Sequence, residues 1–599
     1  MKHHPIPLTI LAGTILFSTP SIADERIQVT ASRISLPITA SLNDVIIIDR
    51  DAIEASAATS LFEVLRGQAG LDLVRRGGLG QQFSLFVRGA NSNQLLVLID
   101  GVEVGSATLG SKALSDLSLS QVERIELIKG PRAALWGSKA MGGVLQIFTR
   151  EIDDFQFVFG TGSNGYNSFD IGAGFQINRL EVQILADEYD LDGNDARFDQ
   201  DPDLDGSTRD NLLVRAKWSP AEGHTFNYLN QTNEGLTEYD TSFGGDQLVF
   251  DNSLDILEYQ GRFEGFNHAL KLSKQRDDST IQGEGATPFQ FVTESDMIRY
   301  QLDYQVNTEW QLGASVEKLD EDVSESGSDY TVDKRTTNAA HLYSHYQSGA
   351  WLNEVALRYT DIDGLASNTS AHVGFGYRLA QTQLLSINFG EGFKAPTFND
   401  LYFPFGGNPD LAYETSESVD VTYRQWFDDG QYSVSVYDNE VINLIQFVPD
   451  EDGFFSAVNV GKVNLTGVDV AVDWQAWDLA HQLSVSYVDA EDANTGQPLQ
   501  LRASEQLSYL VNGQLAGNED LSYQVQLIYT GERPDFDFQS FSAIDLDANT
   551  EVHLSGSYRV SDSWTIQLRV DDVFNTQAIN TSGYRPEGRT YKLFFKYGS

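Results

Sequence analysis

The chain has 599 residues and a formal charge of −46, from 86 acidic against 40 basic side chains. Phosphate binding needs clustered Lys and Arg, so this balance excludes nucleic acid as a partner and leaves surfaces that attract cations. Cysteine is absent, which removes disulfide frameworks, thiol catalysis and cysteine metal sites.

At the N-terminus, Lys2 and two histidines precede an apolar stretch from Ile6 to Phe17, interrupted by Pro7, Thr9, Gly13 and Thr14, and Ser21-Ile22-Ala23 then supplies small residues. This is the pattern of a removed signal peptide over residues 1–23, with the mature chain starting near Asp24. A membrane anchor is the alternative, but the stretch is short of the roughly 20 residues a spanning helix needs. No later stretch approaches about 18 consecutive apolar residues, so membrane entry requires a closed barrel.

From Val45 to Arg150 short apolar runs (Val45 to Ile48, Leu71 to Val74, Leu95 to Ile99, Arg124 to Ile128, Val144 to Phe148) alternate with glycine-rich turns, which predicts a small mixed α/β domain. One helix is well signalled. Ser60 with Glu63 three residues on forms a capping box, Leu61, Phe62, Val64 and Leu65 supply apolar surface, and Gly67 stands at the expected stop.

After Arg150 the rhythm becomes period two, as in Leu180 to Ile184, Ser433 to Tyr437, Val468 to Trp474, Tyr523 to Leu527 and Trp564 to Val570. Such strands suit a soluble sandwich as well as a barrel. The signal peptide and the uninterrupted length favour the barrel: roughly 450 residues at about 20 per strand and connection give about 22 strands, a size with a plugged lumen. The aromatic ending Tyr591 to Tyr597 fits a last strand with an interfacial girdle.

Aspartates crowd the stretch 187, 190, 192, 195, 199, 201, 203, 205 and 210. A charge run is commonly a solvated loop. Asp201-Pro-Asp203-Leu-Asp205-Gly206, however, is the first half of a calcium loop, with alternate carboxylates and a turn-forming glycine. Leu212 stands where an EF-hand carries its bidentate glutamate, so further ligands must come from elsewhere, and the acidic stretch from Tyr239-Asp240 to Asp251 is the nearest source. Catalysis has no comparable support: the 9 histidines form no His-Glu-x-x-His pattern, and Gly130-Pro131-Arg132 matches no nucleotide fingerprint.

Arg88-Gly89-Ala90-Asn91, the run Leu95 to Val102, and above all VERIELIKGPRAALWGSKAMGGVLQIFTR from Val122 to Arg150 resemble the plug of TonB-dependent receptors, and Phe393-Lys394-Ala395-Pro396 and Gly407-Asn408-Pro409-Asp410-Leu411 continue the likeness through the barrel. The likeness is nearest to the family's cobalamin receptors. It implies an all-β membrane barrel of about 22 antiparallel strands with an N-terminal mixed α/β plug. It also implies inward transport without catalysis, in the outer membrane of a Gram-negative bacterium, by a monomer among outer-membrane lipid and lipopolysaccharide. The implied domains are a signal peptide at 1–23, a TonB box and linker at 24–36, the plug at 37–150 and the barrel at 151–599.

The resemblance also assigns residues. Ile27, Gln28, Val29, Thr30 and Ala31 lie where the family has its TonB box, a segment that adds as a strand to TonB of the inner-membrane energising complex. Only Asp24, Glu25 and Arg26 precede it after the cleavage site, which leaves no room for a signalling domain. A structural, loop-ordering calcium would be held by Asp195, Asp201, Asp203 and Asp205 in one ligand group and Tyr239, Asp240 and Asp251 in the other; Asp201 replaces an amide of the family. Substrate contacts fall on Gln82, Ser84 and Asn91, on Leu109 and Gly110 after a one-residue gap, and on Thr241 and Arg502. Cobalamin or a related corrinoid is the expected cargo, with a ferric siderophore or haem as the alternative and a passive porin or an adhesion barrel as rivals of other classes.

Overall fold

The computed structural model describes residues 28–29, 33, 36–198, 202–241, 245–283, 286–449, 455–537, 540 and 542–598. The expected signal peptide at 1–23 and Ile27, Thr30 and Ala31 of the expected TonB box lie outside them.

Antiparallel strands from Gln156–Gly162 to Thr590–Tyr597 form a closed 22-stranded barrel, each hydrogen-bonded to the next in sequence, and the first and last pair to complete it. Closure leaves no unpaired edge, the condition for a sheet in hydrocarbon. Period-two alternation sets the two faces. In the strand Trp351–Ile362, Trp351, Val355, Leu357 and Tyr359 are exposed on the outside, while Glu354 and Arg358 are buried toward the lumen. Two-residue turns such as 178–179, 222–223 and 264–265 mark one end and long loops such as 195–204 and 239–246 the other, the periplasmic and extracellular ends respectively. Beside the short turns, aromatic pairs ring the barrel: Trp218 with Phe226 at 5.5 Å, Phe266 with Tyr304 at 4.5 Å and Trp351 with Tyr377 at 4.6 Å.

The lumen holds a five-stranded sheet ordered Val45–Ile48, Val122–Lys129, Gly143–Thr149, Leu95–Ile99 and Val102–Glu103, in which only Leu95–Ile99 and Gly143–Thr149 run parallel. A hairpin of Leu71–Arg75 and Phe83–Val87 stands apart from it. Two helices follow the first strand, α1 (Arg50–Ser56) and α2 (Leu61–Leu65); a third, α3 (Ala133–Trp136), and a fourth, α4 (Phe398–Tyr402) in a barrel loop, come later. Ser60 caps α2 by accepting the Glu63 amide, but the Glu63 carboxylate turns to the Thr59 amide at 2.7 Å rather than back to Ser60. Gly67 adopts a φ of +83° just past that helix, where a Cβ would meet Ser508 of the wall. The plug core, with Ile125, Leu127 and Leu145 fully buried, packs directly on Leu213, Leu229 and Leu254 of the barrel.

Charges fix the plug to the wall. Arg88 reaches Asp44 at 2.6 Å and Asp469 at 2.9 Å, Lys129 reaches the same two carboxylates at 2.9 and 3.3 Å, and the Arg88 guanidinium lies 4.3 Å from the Tyr437 ring. Each charge has two opposite partners, which is what makes such burial tolerable.

Candidate functional site

At the periplasmic approach to the plug, Gln28–Val29 pairs antiparallel with Leu36–Pro37, so this part of the segment expected to serve as a TonB box is extended and hydrogen-bonded as a strand. Between these arms Arg33 is buried: its guanidinium lies 4.4 Å from the Trp136 ring and donates to Ser315 Oγ at 3.2 Å, and Glu317 lies at 3.6 Å.

At the extracellular end, ligand oxygens of Asp203, Asp205 and Asp240 lie within 4.8 Å of one another, bringing together the two acidic loops. Asp205 opens the strand Asp205–Ala221 at its loop end, beyond the lipid-spanning part, and its carboxylate accepts the Ala196 amide at 2.7 Å. Burial first, then Asp203, Asp195 and Glu238, push the Asp205 carboxyl up to about 6, against the pull of that amide. A hard divalent cation would relieve this repulsion, and an all-oxygen donor set is what calcium takes.

The other assigned ligands are placed differently. Asp195 belongs to the same loop but pairs with Arg585 at 3.1 Å. Tyr239 adjoins Asp240 and is held by its amide to Asp246 O at 2.7 Å. Asp251 lies within the strand Gln247–Phe263, opposite Glu234 and Asp278, exposed on the outer face between the inward, buried Phe250 and Asn252. Strand alternation therefore keeps it out of the three-carboxylate group. Asp201 lies outside the described residues.

The plug hairpin meets these loops. Gln81 at its tip is buried and donates to Glu238 O at 2.6 Å, next to Tyr239 and Asp240. The approach is too close for side chains: a Cβ at Gly80, whose φ is +89°, would lie 2.5 Å from Ser207 Cβ, and one at Gly78 2.3 Å from Asn194 Oδ1. Gln82 is exposed at this tip and Ser84 follows it on the strand, paired with Val74.

Asn91, next along the plug, closes a capping box with Gln94 and accepts from Arg502 of a barrel loop. Arg502 also donates to Gly89 O at 3.2 Å and lies 4.1 Å from the Phe86 ring. Its loop is held by Asp72, which accepts the Ala503 amide at 2.9 Å and pairs with Arg533 at 2.7 Å. Leu109 and Gly110 lie elsewhere, in a plug loop closed by the Gly110 amide on Ser106 O at 2.9 Å. This loop leans on α4: the Phe398 amide donates to Ala107 O at 3.1 Å, and a Cβ on Gly110 would meet Thr397 at 2.7 Å. Leu109 is 52% exposed, a large apolar side chain at the outer side of this hydrogen-bonded loop. Thr241 follows Asp240 directly. The assigned residues thus form three stations at the mouth: the hairpin and Arg502, the loop of Leu109, and the acidic loops. Gln81, Phe86, Asp72 and Arg585 complete them; of these only Asp72 signals itself in sequence, as a charge inside the apolar run Leu71 to Val74.

Comparison with known proteins gives the same two-part division. A profile described as TonB-dependent receptor plug domain matches residues 37–144, and one described as TonB dependent receptor-like β-barrel matches 147–573. The vitamin B12 transporter BtuB of Photobacterium profundum is 29% identical over 591 residues, covering 96% of each chain. That of Vibrio cholerae is 30% identical, covering 96% of this chain and 95% of its own. Among solved structures, the siderophore receptor PirA of Acinetobacter baumannii superposes with a TM-score of 0.80 at 15% identity, covering 92% of this chain and 98% of its own. The ferric enterobactin receptor PfeA of Pseudomonas aeruginosa superposes at 0.78 with 16% identity, covering 93% and 100%. At such identities the structural likeness is one of fold.

Proposed function

Because the chain belongs to the TonB-dependent receptors of the Gram-negative outer membrane, we propose that the cargo it carries inward is cobalamin or a related corrinoid. The observation that carries this reading is the near-complete alignment with vitamin B12 transporters at 29 and 30% identity, roughly twice the identity shared with the siderophore receptors.

The site supports a physical route for it. Cargo settles at the mouth on Gln82, Ser84 and Asn91, with Arg502 spanning from the wall, Leu109 and Gly110 offering an apolar contact, and Thr241 closing from the acidic side. Asp203, Asp205 and Asp240 would hold a calcium ion, with Asp195 and Tyr239 in the same two loops. Held by these carboxylates, a calcium ion would supply the positive charge that lets both loops stand together. The Gln81 contact to Glu238 then joins the ordered loops to the hairpin bearing Gln82 and Ser84. A cation that orders the mouth stabilises the cargo-binding state, and linkage makes the coupling mutual. Two acidic loops also make a poor surface for an anionic ferric chelate.

Transport draws on the inner-membrane complex through Ile27 to Ala31. The strand pairing of Gln28–Val29 with Leu36–Pro37 uses backbone groups that TonB would take over by strand addition. The test is uptake of labelled cyanocobalamin and, separately, of a ferric siderophore by cells whose only receptor is this chain, with and without TonB. TonB-dependent cyanocobalamin uptake is expected. Uptake of the siderophore alone would overturn the cargo assignment while leaving the transporter intact.

A further inference from the structure

The last extracellular loop, residues 572–589 between the strands Trp564–Asp571 and Thr590–Tyr597, is stitched to the first acidic loop through backbone. The Phe198 amide donates to Gly583 O at 2.9 Å and the Arg585 amide to Ala196 O at 2.8 Å, with Arg197 and Tyr584 paired as an antiparallel bridge between them. Ala196 carries the contact onward, since its own amide donates to the Asp205 carboxylate at 2.7 Å. These bonds fix where the Arg585 side chain starts. Its guanidinium lies 3.1 Å from the Asp195 carboxylate and 4.9 Å from the Phe198 ring, so a cation is held at the edge of the three-carboxylate group.

The loop is anchored on its far side as well. Glu587 pairs with Arg75 of the plug hairpin at 2.9 Å, with both side chains less than 15% exposed, and Asp535 accepts the Ser582 amide at 2.6 Å. Arg585 therefore stays at the acidic loop whether or not a metal is bound there. Asp195, for its part, belongs electrostatically to the metal group: after burial and Asp203, it is the next carboxylate that pushes the Asp205 carboxyl up. One carboxylate thus faces a fixed guanidinium and the candidate calcium site at once.

We propose that Arg585 is a built-in counter-ion of the acidic mouth, which shares Asp195 with the calcium ion and so sets how tightly that ion is held. The inference rests on the calcium reading above. A divalent cation that draws on Asp195 competes with the guanidinium for the same negative charge and is repelled by the guanidinium itself; both effects lower its affinity. Removing the positive charge frees Asp195 for the metal. The exposed pair is partly screened, since the Arg585 side chain is 39% exposed, which makes the effect moderate and sensitive to salt. A purely structural role has the opposite sign: losing a residue that only orders the loop would weaken calcium binding.

The test is calorimetric titration of calcium into the purified full chain after treatment with a chelator. Arg585→Gln should bind calcium about three- to tenfold more tightly than the wild type at low salt, and by a smaller margin at high salt. Arg585→Lys, which keeps the charge, should stay within about twofold. In an Asp195→Asn background the same Gln substitution should gain less than about twofold, because the shared carboxylate is gone. Arg585→Met keeps the aliphatic stem beside Phe198 and replaces the Gln variant should that one fail to fold, with thermal unfolding as the check. Unchanged or weakened calcium binding on loss of the charge, or a gain of the same size without Asp195, would overturn the proposal. If neither the wild type nor the neutral variants bound calcium, the calcium reading and this inference would fall together; equal binding by the two would sink this inference alone.

Discussion

Replacing Asp469 by Asn should loosen the plug from the wall by an amount the structure fixes. Asp44 and Asp469 balance Arg88 and Lys129 in a cluster where no side chain is more than 10% exposed. The amide keeps the size of the carboxylate and opens no cavity, so the change is one of charge: of the two carboxylates that Arg88 and Lys129 contact, only Asp44 is left, with Asp420 as a further negative charge acting on Arg88. Breaking a buried pair from one side costs about 3–5 kcal/mol, and the remaining carboxylate puts this case near 3. At about 1.36 kcal/mol per decade that is a factor on the order of 10² in the population of the undocked plug. The Gly70 amide, which donates across the seam to Ser486 Oγ at 2.6 Å, reports it by hydrogen exchange. It should exchange about a hundredfold faster in Asp469→Asn, and Lys129→Met added to that variant should recover much of the loss by restoring neutrality. A change of less than about twofold, under roughly 0.5 kcal/mol, would show that the cluster does not hold the plug.

Three further outcomes are expected. Val29→Pro removes a backbone donor from the strand offered to TonB, so uptake should vanish while the cyanocobalamin Kd stays within about twofold; sustained uptake would place the coupling elsewhere. Gly80→Val puts a β-branched residue at a φ of +89° with its Cβ 2.5 Å from Ser207 Cβ, a strain of about 1–3 kcal/mol that displaces the hairpin tip from the acidic loops, and calcium titration should show affinity lowered by about tenfold or more; wild-type affinity would separate the hairpin from the metal. Because the Asp205 carboxyl is pushed up to about 6, its proton stabilises the folded loops at low pH and that benefit is lost as pH rises through this value, so a cation must displace the proton below it. Calcium affinity should accordingly climb by up to about tenfold per unit toward pH 6 and flatten above, and a flat profile from pH 5 to 7, or one unchanged in Asp205→Asn, would remove Asp205 from the site.

The barrel was legible because period-two alternation and a turn every strand are local signals: the apolar runs of the plug and all five alternating stretches fall within strands of the structure. Helix α2 announced itself through Ser60, although the Glu63 carboxylate turns to Thr59. Helix α1 did not, since Ile53 is its one buried residue and a single contact makes no apolar stripe. Of the acidic residues, the spacing of Asp203 and Asp205 pointed to a shared cation, and the stretch from Tyr239-Asp240 to Asp251 was the nearest source of further ligands, but within it only the family resemblance singled out Asp240. The facing of Asp251 depends on strand parity: with Phe250 and Asn252 inward, it points out. The contacts that tie the stations together, Gln81 to Glu238 and Asp195 to Arg585, join residues far apart in the chain and carry no local pattern.

The central claim is that this receptor binds a corrinoid at a mouth organised by calcium, and calorimetric titration of the purified protein tests it most directly. Cyanocobalamin is titrated with calcium present and again with a chelator, beside a ferric siderophore. The account predicts cyanocobalamin binding that weakens at least about tenfold, roughly 1.4 kcal/mol, on chelation, with no heat from the siderophore. Binding of the siderophore alone, or a cyanocobalamin affinity indifferent to chelation, would contradict it.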